Sequence, residues 1–254
     1  MITSPANDKV KFIRALSERK NRQREGRFVV EGARLIDDAL AAQLRPDWIL
    51  CAEKIPARAK QTLNHLRSIH VEVIDVSDAI MKSISDTESP QGLIAVLPFP
   101  RLAPPPDPNL VLVIDTLRDP GNLGTLLRSA AAADVDLVIL SPETVDAYNP
   151  KVVRGAMGAH FHVPILSLTW DEISSRLQPL DVYLASMDGE KTYTQINWTH
   201  PSALIVGSEA EGASAQATKL AITKISIPIA NNVESLNAAV AASVILFEAR
   251  RQRN

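Results

Sequence analysis

The segment 111–140 constrains the fold more than any other part of the sequence. It contains two short apolar runs, at 111–114 and 137–140, separated by a polar turn and an amphipathic helical stretch. A helical period between two buried-strand patterns is typical of a βαβ unit, whose strands lie parallel. The turn DPGN at 119–122 follows the first strand, and open α/β sheets bind ligands at the carboxyl ends of their strands. We therefore predict an α/β fold with a ligand site beside this helix.

Composition narrows the class of protein. The chain of 254 residues is 46% apolar and has a formal net charge of −2, as is usual for globular proteins in water. It contains no run long and apolar enough to span a bilayer and no apolar leader, so we expect no membrane partner. A single cysteine, Cys51, builds no disulfide framework and fits a cytoplasmic location. His160 and His162 lack neighbouring ligands, so no metal site is expected.

Basic residues are concentrated in one stretch near the N-terminus. Between positions 9 and 27 eight lysines and arginines face only Glu18 and Glu25. Such a stretch on a nearly neutral protein is typical of a contact with a polyanion such as RNA, but it equally fits a solvated helix face. Lys151 and Arg154 are two further basic residues that we assign to an RNA-facing surface rather than to chemistry.

The chain divides at a proline-rich segment. Residues 1–97 alternate strand and helix patterns and predict a small α/β domain. Residues 98–108 contain too many prolines for a helix or a central strand and predict a semi-rigid linker. Residues 109–254 form the second domain, which we expect to close with a helix over 235–251 that Ser235 caps.

Three strand ends of the second domain finish in unusual polar loops. If the strands are parallel, these loops lie at one edge of the sheet and form a single cleft. Each loop taken alone is also explained by ordinary turn chemistry. The loops contain Asn122, Gly124 and Arg128; Gly207, Glu209 and Gly212; and Asn231, Asn232, Glu234, Ser235 and Asn237.

At these loops the chain resembles the SpoU (TrmH) family of RNA 2′-O-ribose methyltransferases, and the resemblance covers the whole chain. The motif N-x-G-x-x-x-R stands at 122–128, G-x-E-x-x-G at 207–212 and I-P-x(5)-E-S-L-N at 227–237. Residues 28–32, followed by a helix, also resemble the substrate-binding domain of the family.

The resemblance implies a trefoil-knotted C-terminal methyltransferase domain with a parallel sheet, preceded by a smaller N-terminal α/β RNA-binding domain. It also implies a homodimer and the cofactor S-adenosyl-L-methionine. The residues implied to bind the cofactor are Ser186, Gly207, Ile227 and Leu236. The residues implied to form the catalytic side are Asn122, Arg128, Glu209, Ser235 and Asn237.

The implied activity is methyl transfer to a ribose 2′-hydroxyl in structured RNA, with ribosomal RNA favoured over transfer RNA. A guanidinium is very hard to deprotonate, so we interpret Arg128 as binding a phosphate and stabilising a developing alkoxide. Glu209 would orient this network or take up the proton. Two alternatives stay open: an RNA-binding protein without catalysis, and a nucleotide-binding oxidoreductase, which lacks support because the third glycine of the dinucleotide fingerprint is missing.

Overall fold

The computed structural model describes residues 1–208, 212–231 and 233–254. The helices in these residues are α1 (Asp8–Ala15), α2 (Arg19–Glu25), α3 (Ala33–Ala41), α4 (Ala57–Ser68), α5 (Asp78–Ile84), α6 (Pro120–Ala132), α7 (Pro150–Ala156), α8 (Trp170–Leu177), α9 (Ala215–Leu220) and α10 (Ala238–Arg253). The strands are β1 (Arg27–Glu31), β2 (Trp48–Ala52), β3 (Glu72–Val76), β4 (Leu93–Pro98), β5 (Leu110–Ile114), β6 (Leu137–Leu140), β7 (Ile165–Ser167), β8 (Asp181–Ala185), β9 (Lys191–Thr192), β10 (Ser202–Val206) and β11 (Thr223–Ser226). Short 3-10 helices cover Ala159–Phe161 and Tyr193–Gln195.

The chain folds into two compact units. The first contains Met1–Arg101 and Tyr148–Phe161, and the second contains Leu102–Ala147 and His162–Asn254. Residues 99–109, between β4 and β5, form neither helix nor strand, as their proline content predicts. Within the described ranges no helix is long and apolar enough to cross a lipid bilayer.

One segment departs from the domain boundaries predicted above. The sequence assigns 148–161 to a domain of 109–254, whereas this segment packs within the first unit. Its Tyr148 ring stacks on Phe99, with centroids 4.1 Å apart, and meets Phe28 edge-on at 5.0 Å. Aromatic burial of this kind supplies a large apolar contact. Its partners are distant in sequence, so no local pattern predicts it.

The first unit is built on a four-stranded sheet with helices on both faces. The strand order is β1-β4-β2-β3, with β2 and β3 parallel and the other pairs antiparallel. All five residues of β2 are buried. Ile49 and Cys51 face the core that includes α3 and α4, whereas Trp48 and Leu50 face the core that includes α1 and α5. Two-sided burial explains why this strand reads as a continuous apolar run.

The second unit is built on a seven-stranded sheet of order β7-β6-β5-β10-β8-β11-β9, and every pair in it is parallel. The predicted parallel sheet is therefore confirmed. Val111 and Val113 of β5 belong to the core that includes Ile173 of α8. Helices α6 and α10 pack against each other, where Ser243 Oγ donates a hydrogen bond of 2.7 Å to Ser129 Oγ.

Candidate active site

The carboxyl ends of β8, β10 and β11 meet at one edge of the second sheet and open into a cleft. Because these strands are parallel neighbours, the loops that follow them converge there. The cleft encloses about 730 Å³, within the range of roughly 300–1,000 Å³ typical of small-molecule sites. Its lining residues are 185–187, 206–208, 212–213, 225–229, 233–238, Ala241 and Ile245.

Gly207 lies at a close backbone approach in the wall of this cleft. A Cβ added here would lie 2.6 Å from the carbonyl group of Gly212 and from the nitrogen of Ala213, so the backbone leaves no room for a side chain. Ser208 and Gly212 pair through two backbone hydrogen bonds, from Ser208 N to Gly212 O at 2.9 Å and from Gly212 N to Ser208 O at 3.0 Å. Gly212 adopts φ +69°, which favours glycine. The predicted catalytic residue Glu209 lies outside the described residues.

A second close backbone approach lies beside Ser186. A Cβ on Gly189 would lie 2.4 Å from Ile225 C and from Ser226 N of β11. Ser186 N donates to Ile225 O at 2.9 Å, which holds the loop against the same strand. Sequence reasoning did not select Gly189, although an Asp-Gly pair a few residues after a strand is a turn signal that points to it.

Asp188 ties this loop down through its side chain. Lys224 Nζ donates to Asp188 Oδ2 at 2.8 Å, and Ser186 Oγ also donates to the Asp188 carboxylate. The hydrogen bond from Lys224 is the main cause that holds the pKa of Asp188 below its ordinary value, and the hydrogen bond from Ser186 adds to it. The hydrogen bond from Ser186 Oγ holds its side chain beside the cleft.

Asn237 joins two of the three sequence motifs. Its Oδ1 caps α10 by accepting hydrogen bonds from Ala239 N at 3.0 Å and Val240 N at 3.2 Å. Its Nδ2 donates to Asn122 Oδ1, near the start of α6, at 3.0 Å. The prediction that Ser235 caps this helix is wrong, and the helix begins at residue 238 rather than 235. Ser235 is exposed and lies among the lining residues of the cleft.

Asp115 is a buried carboxylate at the end of β5. Its Oδ2 accepts from Ser214 N at 2.7 Å, and its Oδ1 accepts from Ser141 Oγ at 3.0 Å. Ser214 in turn caps α9 and lies two residues after Gly212. Asp115 thus fixes the segment after Gly212 to the centre of the sheet, as a structural residue.

The structure brings most of the predicted site together. All four predicted cofactor residues, together with Ser235 and Asn237, line the cleft. Asn122 is joined to them through its hydrogen bond to Asn237. Arg128 is exposed on α6 and is not among the lining residues, and it forms no ion pair with another residue of the described ranges.

Comparisons with known proteins agree with this architecture. The sequence profile of the SpoU rRNA Methylase family matches residues 109–247, and that of the MRM3-like substrate binding domain matches residues 7–95. The 23S rRNA (guanosine(2553)-2′-O)-methyltransferase RlmP of Bacillus subtilis is 32% identical, over 98% of this chain and 98% of its own.

Solved structures extend the likeness to three dimensions. The crystal structure of an RNA 2′-O ribose methyltransferase matches with a TM-score of 0.85 and 35% identity, covering 99% of this chain and 98% of the other. The SpoU methyltransferase AviRb of Streptomyces viridochromogenes, in complex with AdoMet, matches with a TM-score of 0.87 and 28% identity, covering 97% and 98%. With the family profile spanning more than half of its length, the chain belongs to the SpoU rRNA methylase family.

Proposed function

We propose that this protein transfers the methyl group of S-adenosyl-L-methionine to a ribose 2′-hydroxyl of ribosomal RNA. The observation that carries the proposal is that motif residues from separate parts of the chain, such as Gly207, Ile227 and Leu236, line one cleft at the sheet edge. The relatives support it, because RlmP bears the name of a 23S rRNA 2′-O-methyltransferase and AviRb was crystallised with AdoMet.

The chemistry of the cleft suits the cofactor. Most of its described lining residues are apolar or small, and Glu234 is the one ionisable side chain among them. Apolar walls suit the adenine ring, and a carboxylate suits the positive charge of a sulfonium. We assign Ser186, Gly207, Ile227 and Leu236 to cofactor binding, with main-chain groups as the principal donors and acceptors.

The protein itself has few chemical tasks. When bound, the cofactor supplies a methyl group on a positively charged sulfur, which is already electrophilic. The side chains must therefore align the ribose hydroxyl and favour loss of its proton. Arg128 would bind an RNA phosphate and stabilise developing negative charge. Asn122 and Asn237 would fix the loop that carries Ser235, and the role of Glu209 as proton acceptor stays a prediction.

We further propose a homodimer that buries one face of α10. Val240, Val244 and Phe247 are 48%, 36% and 49% exposed and recur at the spacing of a single helix face. An unpaired apolar stripe of this kind is typical of a surface that contacts another chain. In this proposed dimer Arg128 of one protomer acts at the cleft of its partner, since Arg128 is not among the described lining residues of the cleft in its own chain.

Two expectations stay predictions. The trefoil knot rests on the family resemblance alone. The cytoplasmic location rests on the single cysteine, Cys51, which forms no disulfide. Cys51 is buried, and burial raises the pKa of its thiol.

The direct test is methyl transfer to ribosomal RNA. The intact protein is incubated with tritiated S-adenosyl-L-methionine and unmodified ribosomal RNA, and the RNA is digested to nucleosides. A labelled 2′-O-methylnucleoside is expected, and a target oligonucleotide with deoxyribose at the modified position should accept no label. Label found only on a base would contradict ribose methylation.

The same samples separate the alternatives. An RNA-binding protein without catalysis would bind the RNA but transfer no label. A nucleotide-binding oxidoreductase would bind a nicotinamide cofactor more tightly than S-adenosyl-L-methionine in calorimetry. Mapping the labelled nucleotide then identifies the target.

A further inference from the structure

The first unit contains a cleft of its own, beside β1, which forms one edge of the sheet. It encloses about 400 Å³. Residues of α1, β1, α3 and α7, together with the segment 83–91, form its walls. The described site of the second unit shares no residue with it.

We propose that this cleft binds one unpaired nucleotide of the RNA substrate, an inference that rests on the proposed function. The floor is apolar, because Leu16, Val30 and Ile94 line it and each is at most 2% exposed. The volume lies near the lower end of the range of roughly 300–1,000 Å³ for small-molecule sites. The cleft has room for a single nucleotide but not for a duplex.

Three exposed arginines stand around this floor. Arg14 Nη2 donates to Ser83 Oγ at 2.9 Å, and Arg154 Nη1 donates to the main-chain oxygen of Asp86 at 3.0 Å. Arg34 also lines the cleft and is exposed. None of the three forms a salt bridge with a carboxylate in the described part of the chain. Their positive charge is therefore available to a phosphate, which a guanidinium binds through two parallel hydrogen bonds.

The carboxylate inside the cleft is already engaged by neutral donors. Glu31 accepts hydrogen bonds from Ser85 Oγ at 3.0 and 2.8 Å, from Thr87 Oγ1 at 3.3 Å and from Gln91 N at 2.9 Å. These bonds order the segment between α5 and β4 before any ligand binds. Pre-ordering lowers the entropy cost of binding. Only one other carboxylate among the described lining residues, that of Asp86, opposes the three guanidinium groups.

Gln91 supplies a group able to read a base. A Cβ on Gly32 would lie 2.0 Å from Gln91 Oε1, so the absent side chain makes room for the Gln91 amide. An amide both donates and accepts hydrogen bonds, as the edge of a nucleobase requires. Proteins read single-stranded RNA through unstacked bases held on apolar, aromatic or guanidinium surfaces. An unpaired nucleotide matches all of these features.

The first test measures RNA affinity. Intact wild-type and variant chains are titrated into a fluorescein-labelled short single-stranded RNA of mixed sequence, and anisotropy is recorded over a range of salt concentrations. Arg34→Ala and Arg154→Ala are each expected to weaken binding about tenfold. The slope of log affinity against log salt should fall by about 0.7 for each lost phosphate contact.

Arg67→Ala is the matched control. Arg67 is an exposed arginine of α4 in the same unit, lies outside the cleft and, like the three cleft arginines, forms no salt bridge in the described part of the chain. Its variant is expected to retain wild-type affinity and salt dependence. Equal losses for Arg67→Ala and Arg34→Ala would indicate unspecific attraction and overturn the proposal.

The second test locates the ligand. Nucleoside 5′-monophosphates and, separately, inorganic phosphate are titrated while the methyl resonances of Ile13, Ile84 and Ile94 are followed by NMR. The nucleotides should shift these methyls more than phosphate does, and Arg34→Ala should reduce the shifts at the same nucleotide concentration. Equal shifts with phosphate, or none with nucleotides, contradict a nucleotide site.

Binding of S-adenosyl-L-methionine and methyl transfer are measured on the same wild-type protein. If both are intact while the cleft methyls do not respond, this inference alone fails. If methyl transfer is absent while the cleft methyls respond to nucleotides, the proposed function fails and the nucleotide site stands.

Discussion

Gly207 and Asn237 show how single residues place distant loops in one site. Gly207 is required because main-chain atoms of Gly212 and Ala213 occupy the position of its Cβ. Asn237 serves twice, since its oxygen caps α10 while its nitrogen bonds Asn122. Gly207 acts by leaving room for neighbouring main-chain atoms, and Asn237 acts through its hydrogen bonds. Single substitutions measure both effects.

Replacing Gly207 with alanine should damage cofactor binding. The added methyl would lie 2.6 Å from backbone atoms, so the loop must move and the wall of the cleft with it. We expect the affinity for S-adenosyl-L-methionine to fall at least about tenfold, since small displacements of a site are costly. Calorimetry measures this, and circular dichroism checks that the fold is kept. If Gly207→Ala bound the cofactor with wild-type affinity, the neighbouring main chain would be able to move aside without disturbing the site.

Asn122→Ala and Asn237→Ala separate the two roles of Asn237, the cap of α10 and the hydrogen bond to Asn122. Asn237→Ala loses the cap and should cost about 1 kcal/mol of unfolding free energy. Asn122→Ala keeps the cap, so its unfolding free energy should stay within about 0.5 kcal/mol of wild type. Both variants lose the hydrogen bond between the motifs and should show reduced methyl transfer. Urea unfolding and initial rates measure these effects; full activity in Asn122→Ala would assign Asn237 to helix capping alone.

At the scale of elements, α10 is held at both of its ends. Near its C-terminus Glu248 accepts hydrogen bonds from Arg251 at 2.7 and 2.8 Å and from Gln252 at 2.8 Å. Gln252 in turn accepts from Trp198 N at 2.9 Å and donates to Ile196 O at 3.1 Å. The helix that begins at the cleft is thus anchored to the segment that precedes β10, which keeps its N-terminal cap in place.

This anchor should weaken in acid. Hydrogen bonds from Arg251 and then Gln252 lower the pKa of Glu248 from 4.5 to about 2. Because the folded-state pKa is depressed, the contribution of Glu248 to stability is fully present above pH 4.5 and is lost as the pH falls towards about 2. Glu248→Gln should therefore reduce the unfolding free energy at pH 7 and reduce its dependence on pH below 4.5.

Urea unfolding at several pH values measures this effect. Glu190→Gln, which changes an exposed glutamate of the same unit, is the control and should retain the wild-type profile. Identical profiles for wild type and Glu248→Gln would show that the hydrogen bonds of Glu248 do not stabilise the protein.

At the scale of the whole molecule, the proposed homodimer determines which subunit supplies Arg128. Arg128 is not among the described residues that line the cleft of its own chain. The exposed apolar face of α10 offers a contact surface for a second protomer. Mixed dimers distinguish an arginine supplied in trans from one supplied in cis.

A mixed dimer of an Arg128→Ala chain and a Gly207→Ala chain should recover about half of the wild-type activity, because one of its two clefts has both an intact cofactor wall and a partner arginine. A mixed dimer of wild type and the double variant should be inactive. Differently tagged, co-expressed chains purified in two affinity steps allow the measurement. The opposite pattern would assign Arg128 to the cleft of its own chain, and a monomer in light scattering would reject the dimer.

The local pattern of the sequence was sufficient for much of this protein. Apolar runs separated by helical periods predicted the parallel sheet, and polar loops after strands predicted a cleft at its edge. These features depend on residues close together in the chain, such as the run 111–114 and the turn 119–122. Family motifs then selected Gly207, Ile227 and Leu236, all of which line the cleft.

Only the tertiary structure decided the contacts between distant segments. Residues 148–161 join the first unit because Tyr148 packs on Phe28 and Phe99. Helix α10 begins at residue 238 because Asn237 both caps it and bonds Asn122, which lies 115 positions earlier. The need for Gly189 arises from the neighbouring strand β11. Helix and strand patterns follow from local periodicity, whereas a cap, a close backbone approach or an aromatic cluster depends on partners that only folding brings together.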